Sequence, residues 1–200
     1  MHNLQDLIHW GGYLVLFLIV FAETGLLVGF CLPGDSLLVT AGLIAAVDHQ
    51  LNIGILIALL SAAAIIGDSV GYALGFKFGP KIFNKEDSLF FHKDHLIRAQ
   101  KFYEKYGNKT IVLARFVPIV RTFAPTVAGV GRMNYKRFLV YNIAGGILWV
   151  ASMTLTGYCL AQAIPDIEKK IHWVILIVIF LSFLPLVHEW NQARKQKKTS

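Results

Sequence analysis

The chain has no lysine or arginine before Lys77, although five acids precede it: Asp6, Glu23, Asp35, Asp48 and Asp68. Secretory leaders open on positive charge, so this lack predicts that the chain keeps its N-terminus. Cysteine is scarce as well. Cys31 and Cys159 both lie in apolar runs, which implies no disulfide framework and predicts packing roles. The seven histidines are scattered, with His92 and His95 the one close pair. No HExxH, nucleophile elbow, P-loop or metal-spaced cysteine set occurs. An intramembrane lipid phosphatase would need such a set, so the expectation is a protein that is not an enzyme and holds no metal or cofactor.

What is present is mostly apolar. Hydrophobic residues make up 56% of 200 positions, too many for a soluble core of this size, which predicts one integral membrane domain. Between Trp10 and Val47 the only charges are Glu23 and Asp35, within ETGLLVGFCLPGD. A carboxylate ionised in hydrocarbon is costly, so each acid marks a candidate functional site whose counter-charge comes from elsewhere in the fold. Arg115 and Arg121, in the second proline-broken stretch RFVPIVRTFAPTVAG, are the expected partners.

Trp10 to Cys31 covers about 22 residues, enough at about 1.5 Å per residue to cross a hydrocarbon layer of about 30 Å. Pro33 and Gly34 break the run, however, and Ser36 to Val47 is too short to cross alone. A re-entrant hairpin is expected, with other parts of the protein covering its non-helical backbone. Leu51 to Phe78 then reads as a full span. Its Gly67, Gly71 and Gly75, with Ser61, Ala62 and Ala63, form a small-residue face on which the hairpin can dock. Asp68 beside that face is expected either to bond broken backbone or to serve transport.

Thr110 to Gly131 carries Arg115, Pro118, Arg121 and Pro125, and a straight spanning helix with that content is unfavourable. A second hairpin with breaks at Pro118 and Pro125 is expected. Glu23 stands ten residues before Pro33, and Arg115 stands ten before Pro125. Matched, proline-interrupted segments of this kind point to an inverted repeat with a site at its interface. The expected layout is repeat 1 over about 10–78, repeat 2 over about 109–164, a last transmembrane helix over about 171–190 and a basic tail over 191–200. Between the repeats, about 94–107 sets Leu96, Ala99, Tyr103 and Tyr106 against Arg98, Lys101 and Lys105, the pattern of an amphipathic helix either lying in the headgroup region or packed on the domain.

Basic residues cluster at 77–109, at 132–137 and in the tail. By the positive-inside rule these segments and the C-terminus are expected to be cytoplasmic, and the N-terminus outside. Their partner is expected to be anionic lipid rather than nucleic acid.

Three stretches together resemble the DedA family, the bacterial branch of the VTT (SNARE-associated) membrane proteins, over nearly the whole chain. They are ETGLLVGFCLPGDSLLVTAG, GDSVGYALG and KTIVLARFVPIVRTFAPTVAGVGRMNYKRFLVYNIAGGILW. The resemblance implies an all-α integral membrane fold with two opposed re-entrant hairpins, about three full transmembrane helices and an amphipathic interfacial helix. It also implies a bacterial inner-membrane location and a role in moving lipids across the bilayer, undecaprenyl phosphate among them. The family's essential acids match Glu23 and Asp35, and its essential arginines match Arg115 and Arg121. The chain departs from many relatives at Phe30-Cys31, where they carry an extra proline, and at Phe76, where they carry a basic residue.

The function expected on these grounds is a flippase or scramblase for phosphate-bearing lipids. Arg115 and Arg121 would bind the phosphate, and Glu23 and Asp35, with Asp68, would compensate charge and take up protons. Two alternatives stand beside it: a proton-driven exchanger of ions or small molecules, and a permanent ion pair that only holds the hairpins together.

Overall fold

The computed structural model describes residues 2–26, 34–48, 51–83 and 107–164, with isolated positions 167, 174, 176, 177 and 180. All regular elements among them are helical: α1 (His2–Gly25), α2 (Gly34–Val47), α3 (Ile53–Phe83), a 3-10 turn (Gly107–Lys109), α4 (Thr110–Ala114), α5 (Pro118–Val130) and α6 (Tyr135–Ala163). Residues 94–106 of the expected amphipathic helix, most of the expected last transmembrane helix at 171–190, and Pro33 lie outside the described residues.

Local chemistry explains the breaks. Asp35 occupies the first turn of α2, where a carboxylate complements the helix dipole. Between α4 and α5 the chain turns at Arg115–Val117. Proline disfavours helical backbone in the residue before it, and Val117 is extended at φ −116° and ψ 106° while Pro118 takes the first helical position. Pro125 departs from the sequence expectation. It lies inside α5, which continues through it. Proline removes one helical hydrogen bond, but the turns on either side keep theirs, Arg121 N–H to the Val117 carbonyl (2.8 Å) and Gly131 N–H to the Val127 carbonyl (2.9 Å). The Pro125 ring also packs on Gly71, where an added Cβ would lie 3.4 Å from the proline Cβ.

The chain divides into two compact units, Met1–Leu32 with Gly54–Ala151, and Pro33–Ile53 with Ser152–Ser200. In the first, the glycine face of α3 takes two helices. A Cβ at Gly67 would run into Phe21, Thr24 and Gly25 of α1, and one at Gly75 would run into the backbone of Thr126 on α5. Gly129 on α5 returns the contact against Tyr72 and Phe76. Small residues thus let backbones meet directly, the packing that stabilises helices where no hydrophobic force acts between them. In the second unit, α2 meets the last turns of α6 the same way, Gly42 on Thr154 and Tyr158 and Gly157 on Val39.

Burial departs from the pattern of a water-soluble protein. Glu23, Asp68, Arg115, Arg121 and Asn142 are buried, while Leu14, Leu18, Ile55, Ile66, Val140, Ile143 and Leu148 are exposed, Val140 at 64%. Exposed aliphatic side chains in this number suit hydrocarbon better than water. Ile53–Phe78 and Tyr135–Ala163 are long and apolar enough to cross a membrane, at 26 and 29 residues, or about 39 and 43 Å of helix.

Candidate functional site

The first unit brings four of the buried charges into two ion pairs. Arg121 Nη2 on α5 donates to Glu23 Oε1 on α1 at 2.7 Å. Arg115 Nη2, at the turn between α4 and α5, donates to Asp68 Oδ2 on α3 at 2.5 Å. Each arginine needs its own element to reach its partner. The break before Pro118 sets Arg115 where α4 ends, and α5 carries Arg121 near its start. Asp35 belongs to the second unit, half-buried at the start of α2.

A fourth helix, α6, completes the site. Asn142 on α6, with no exposed surface, accepts from Arg115 Nη2 through its Oδ1. Its Nδ2 donates to the Ile65 carbonyl at 3.0 Å and to Ser69 Oγ at 3.5 Å. Gly145 and Gly146 on the same helix lie against the Arg115 side chain, and an added Cβ at Gly145 would stand 3.2 Å from Cδ and 3.3 Å from Nε. The Trp149 ring lies 4.6 Å from the Arg121 guanidinium carbon, a cation–π contact strengthened by exclusion of water. Asn142, Gly145, Gly146 and Trp149 therefore form one stripe of α6 at i, i+3, i+4 and i+7 facing both arginines. Sequence reasoning assigned none of these four a role. Their shared helical face, polar or small inside an apolar span, was the available signal.

The two arginines are not equivalent. Arg115 uses Nη2 twice, while its Nε and Nη1, and the Oδ1 of Asp68, have no hydrogen-bond partner among the described residues. Desolvating two charges offsets most of their attraction, so a buried pair adds little net stability and is weak evidence for a purely structural role. Unused donors on a buried guanidinium suit an anion with several acceptor oxygens. Among the described residues no group of three or more His, Cys, Asp or Glu side chains gathers as a metal site.

Charges clamped inside, aliphatic side chains outside and, among the described residues, two helices of spanning length fit a helical membrane protein. Residues 32–159 match the VTT domain. Over 178 residues the chain is 48% identical to Protein DedA of Escherichia coli (strain K12), covering 88% of this chain and 81% of that protein. It is 46% identical over 169 residues to an uncharacterized membrane protein of Mycobacterium tuberculosis, covering 84% of this chain and 74% of that one. A Mycobacterium leprae membrane protein, also uncharacterized, is 41% identical over 183 residues, 91% of this chain and 81% of its own length. The chain belongs to the DedA family of VTT-domain membrane proteins. No solved structure matches it significantly.

Proposed function

We propose that the protein moves phosphate-bearing lipids, such as undecaprenyl phosphate or phospholipids, across the bacterial inner membrane. The observation that carries this reading is Arg115, held at one nitrogen by Asp68 and Asn142 while Nε and Nη1 remain unused in a buried setting. A lipid phosphate oxygen arriving there competes with Asp68 for the guanidinium. Arg121 supplies the second positive centre, with Glu23 as its resident counter-charge.

The site as it stands balances two cations with two carboxylates. Each negative charge brought in by a phosphate leaves a carboxylate in excess, and an unpaired buried carboxylate is relieved by taking on a proton. Asp68, whose Oδ1 is already unpartnered, is the nearest acceptor, with Glu23 in the same compensating role. Proton-coupled transport follows from this balance, and no covalent chemistry is needed. In this reading the turn at Arg115–Val117, between α4 and α5, is the tip of one re-entrant hairpin, and the Pro33-Gly34 break expected from the sequence gives its counterpart in an inverted repeat. The basic segments and the C-terminus face the cytoplasm, and the N-terminus faces outward.

The test is translocation of a labelled phospholipid, and separately of a polyprenyl phosphate, in vesicles holding only the purified protein. Arg115→Lys and Glu23→Gln proteins that assemble normally are expected to lose about tenfold or more in rate, the effect of losing a charge-assisted hydrogen bond. Wild-type rates in both would remove the reading. Proton flux without lipid, insensitive to added headgroup, would favour the exchanger alternative.

A further inference from the structure

A second cationic feature lies away from the buried pairs, where the end of α3 meets the start of α6. Arg132, Lys136 and Arg137 are exposed there, as is Lys77 at the end of the first span. Phe76, Phe78 and Tyr135 are exposed beside them at 48%, 41% and 44%. The Arg132 guanidinium lies 5.5 Å from the Phe76 ring centre and Lys77 Nζ lies 5.6 Å from that of Phe78. No aspartate or glutamate occurs between Gly107 and Pro165, and none of these four cations forms a salt bridge among the described residues. This is a basic surface interleaved with aromatic rings, at the common end of two helices that span the bilayer.

The surface is held rigidly from beneath. The Tyr72 hydroxyl donates to the Met133 carbonyl, and the Tyr72 ring packs on Phe138 at 4.7 Å and on Tyr135 at 5.4 Å. Arg132 follows the end of α5, where its N–H bonds the Gly129 carbonyl and the Met133 N–H bonds the Ala128 carbonyl, both at 3.0 Å. Its φ is +51°, a left-handed backbone that glycine adopts freely and a residue with a Cβ adopts at a cost. Arginine at that position forfeits stability glycine would supply, and what it adds is an exposed guanidinium laid over Phe76.

We propose that this surface is a docking site for the headgroup of an anionic phospholipid at the membrane surface. Aromatic rings at the depth of the headgroups and guanidinium or ammonium groups beside them match the apolar and anionic parts of such a lipid. Phe76 lies eight residues beyond Asp68 on α3, about 12 Å along the helix. The surface is therefore distinct from the buried Arg115 pair. The proposal does not depend on transport, because its test reads binding alone.

The test uses the full-length protein in phosphatidylcholine nanodiscs, titrated with phosphatidylglycerol and, in a parallel arm, with inorganic phosphate. Affinity and melting temperature are both read. Arg132→Gly is expected to melt no lower than wild type in phosphatidylcholine alone, yet to bind phosphatidylglycerol about fivefold more weakly, the effect of removing one cation near an anionic lipid. Joint Lys136→Gln and Arg137→Gln changes should weaken binding further. The wild-type affinity should fall steeply with added salt, since exposed charges are screened and buried ones are not. Unchanged phosphatidylglycerol binding by Arg132→Gly overturns the proposal, as does salt-insensitive binding. Inorganic phosphate that binds as well, with the same sensitivity to these variants, overturns it in favour of a soluble-anion site. If Arg132→Gly melts lower than wild type, the Lys136→Gln and Arg137→Gln protein decides: weakened lipid binding supports the site, and unchanged binding overturns it.

Discussion

Changing Asp68 to asparagine is expected to lower stability by about 3–5 kcal/mol, because it strips the carboxylate from a buried guanidinium without removing the guanidinium. Arg115 and Asp68 are 2% and 4% exposed, so water cannot replace the lost partner. Asn142 still accepts one hydrogen bond from Nη2, which places the loss toward the lower end. Arg115→Met alone leaves Asp68 uncompensated and should be similarly harmful. The two changes combined remove both charges and should regain part of the loss, since neither partner is left as an uncompensated buried charge. Unfolding of the purified proteins in mixed micelles gives the cycle. A loss below about 1 kcal/mol for Asp68→Asn, the level of a surface pair, would show that the charge is not buried as described. The paired variant also separates roles, because a merely structural bridge predicts restored function along with restored stability, and a phosphate site predicts stability without transport.

A second large loss is expected at the crossing of α3 and α5. A Cβ at Gly75 would strike the Thr126 backbone, and one at Gly129 would strike the backbone of Tyr72 and Phe76. Backbone cannot rotate away as a side chain can. Gly75→Ala and Gly129→Ala should each lower stability by about 2–3 kcal/mol, near the upper end for overpacking, even though alanine favours the helix by about 1 kcal/mol. Both sites share one crossing, so the double variant should lose less than the sum. Thermal melting of each in detergent is the check, and an unchanged or raised midpoint would mean that the helices do not meet there.

The sequence carried the charged members of the site more clearly than their pairing. Glu23, Arg115 and Arg121 stand out because a charge inside an apolar run has no local solution, which is a statement about solvation and needs no fold. Asp68 is visible for the same reason, yet its partner is not, since its own turn offers no cation. The expectation gave both arginines to Glu23 and Asp35, whereas Arg121 meets Glu23 and Arg115 meets Asp68. The glycine face of α3 explains this outcome: close docking of α5 on Gly71 and Gly75 brings the turn before it down onto Asp68. Asn142 and Trp149 carried only the signal of a shared helical face, because an asparagine or tryptophan in a span reads as packing until the opposite helix is known. Pro125 misled for a related reason. Its ring finds room against Gly71, a contact with no trace in the local sequence, so the helix survives where propensity predicts a break.

Everything functional depends on whether the spare nitrogens of Arg115 receive phosphate. Solid-state NMR of arginine-15N-labelled protein in vesicles, with the Arg115 signals assigned by their loss in Arg115→Lys, measures this through dephasing by lipid phosphorus. Direct dephasing of the Arg115 Nε or Nη1 signals by 31P is the predicted result. Arg115 signals that stay undephased under conditions where lipid is being translocated would contradict it.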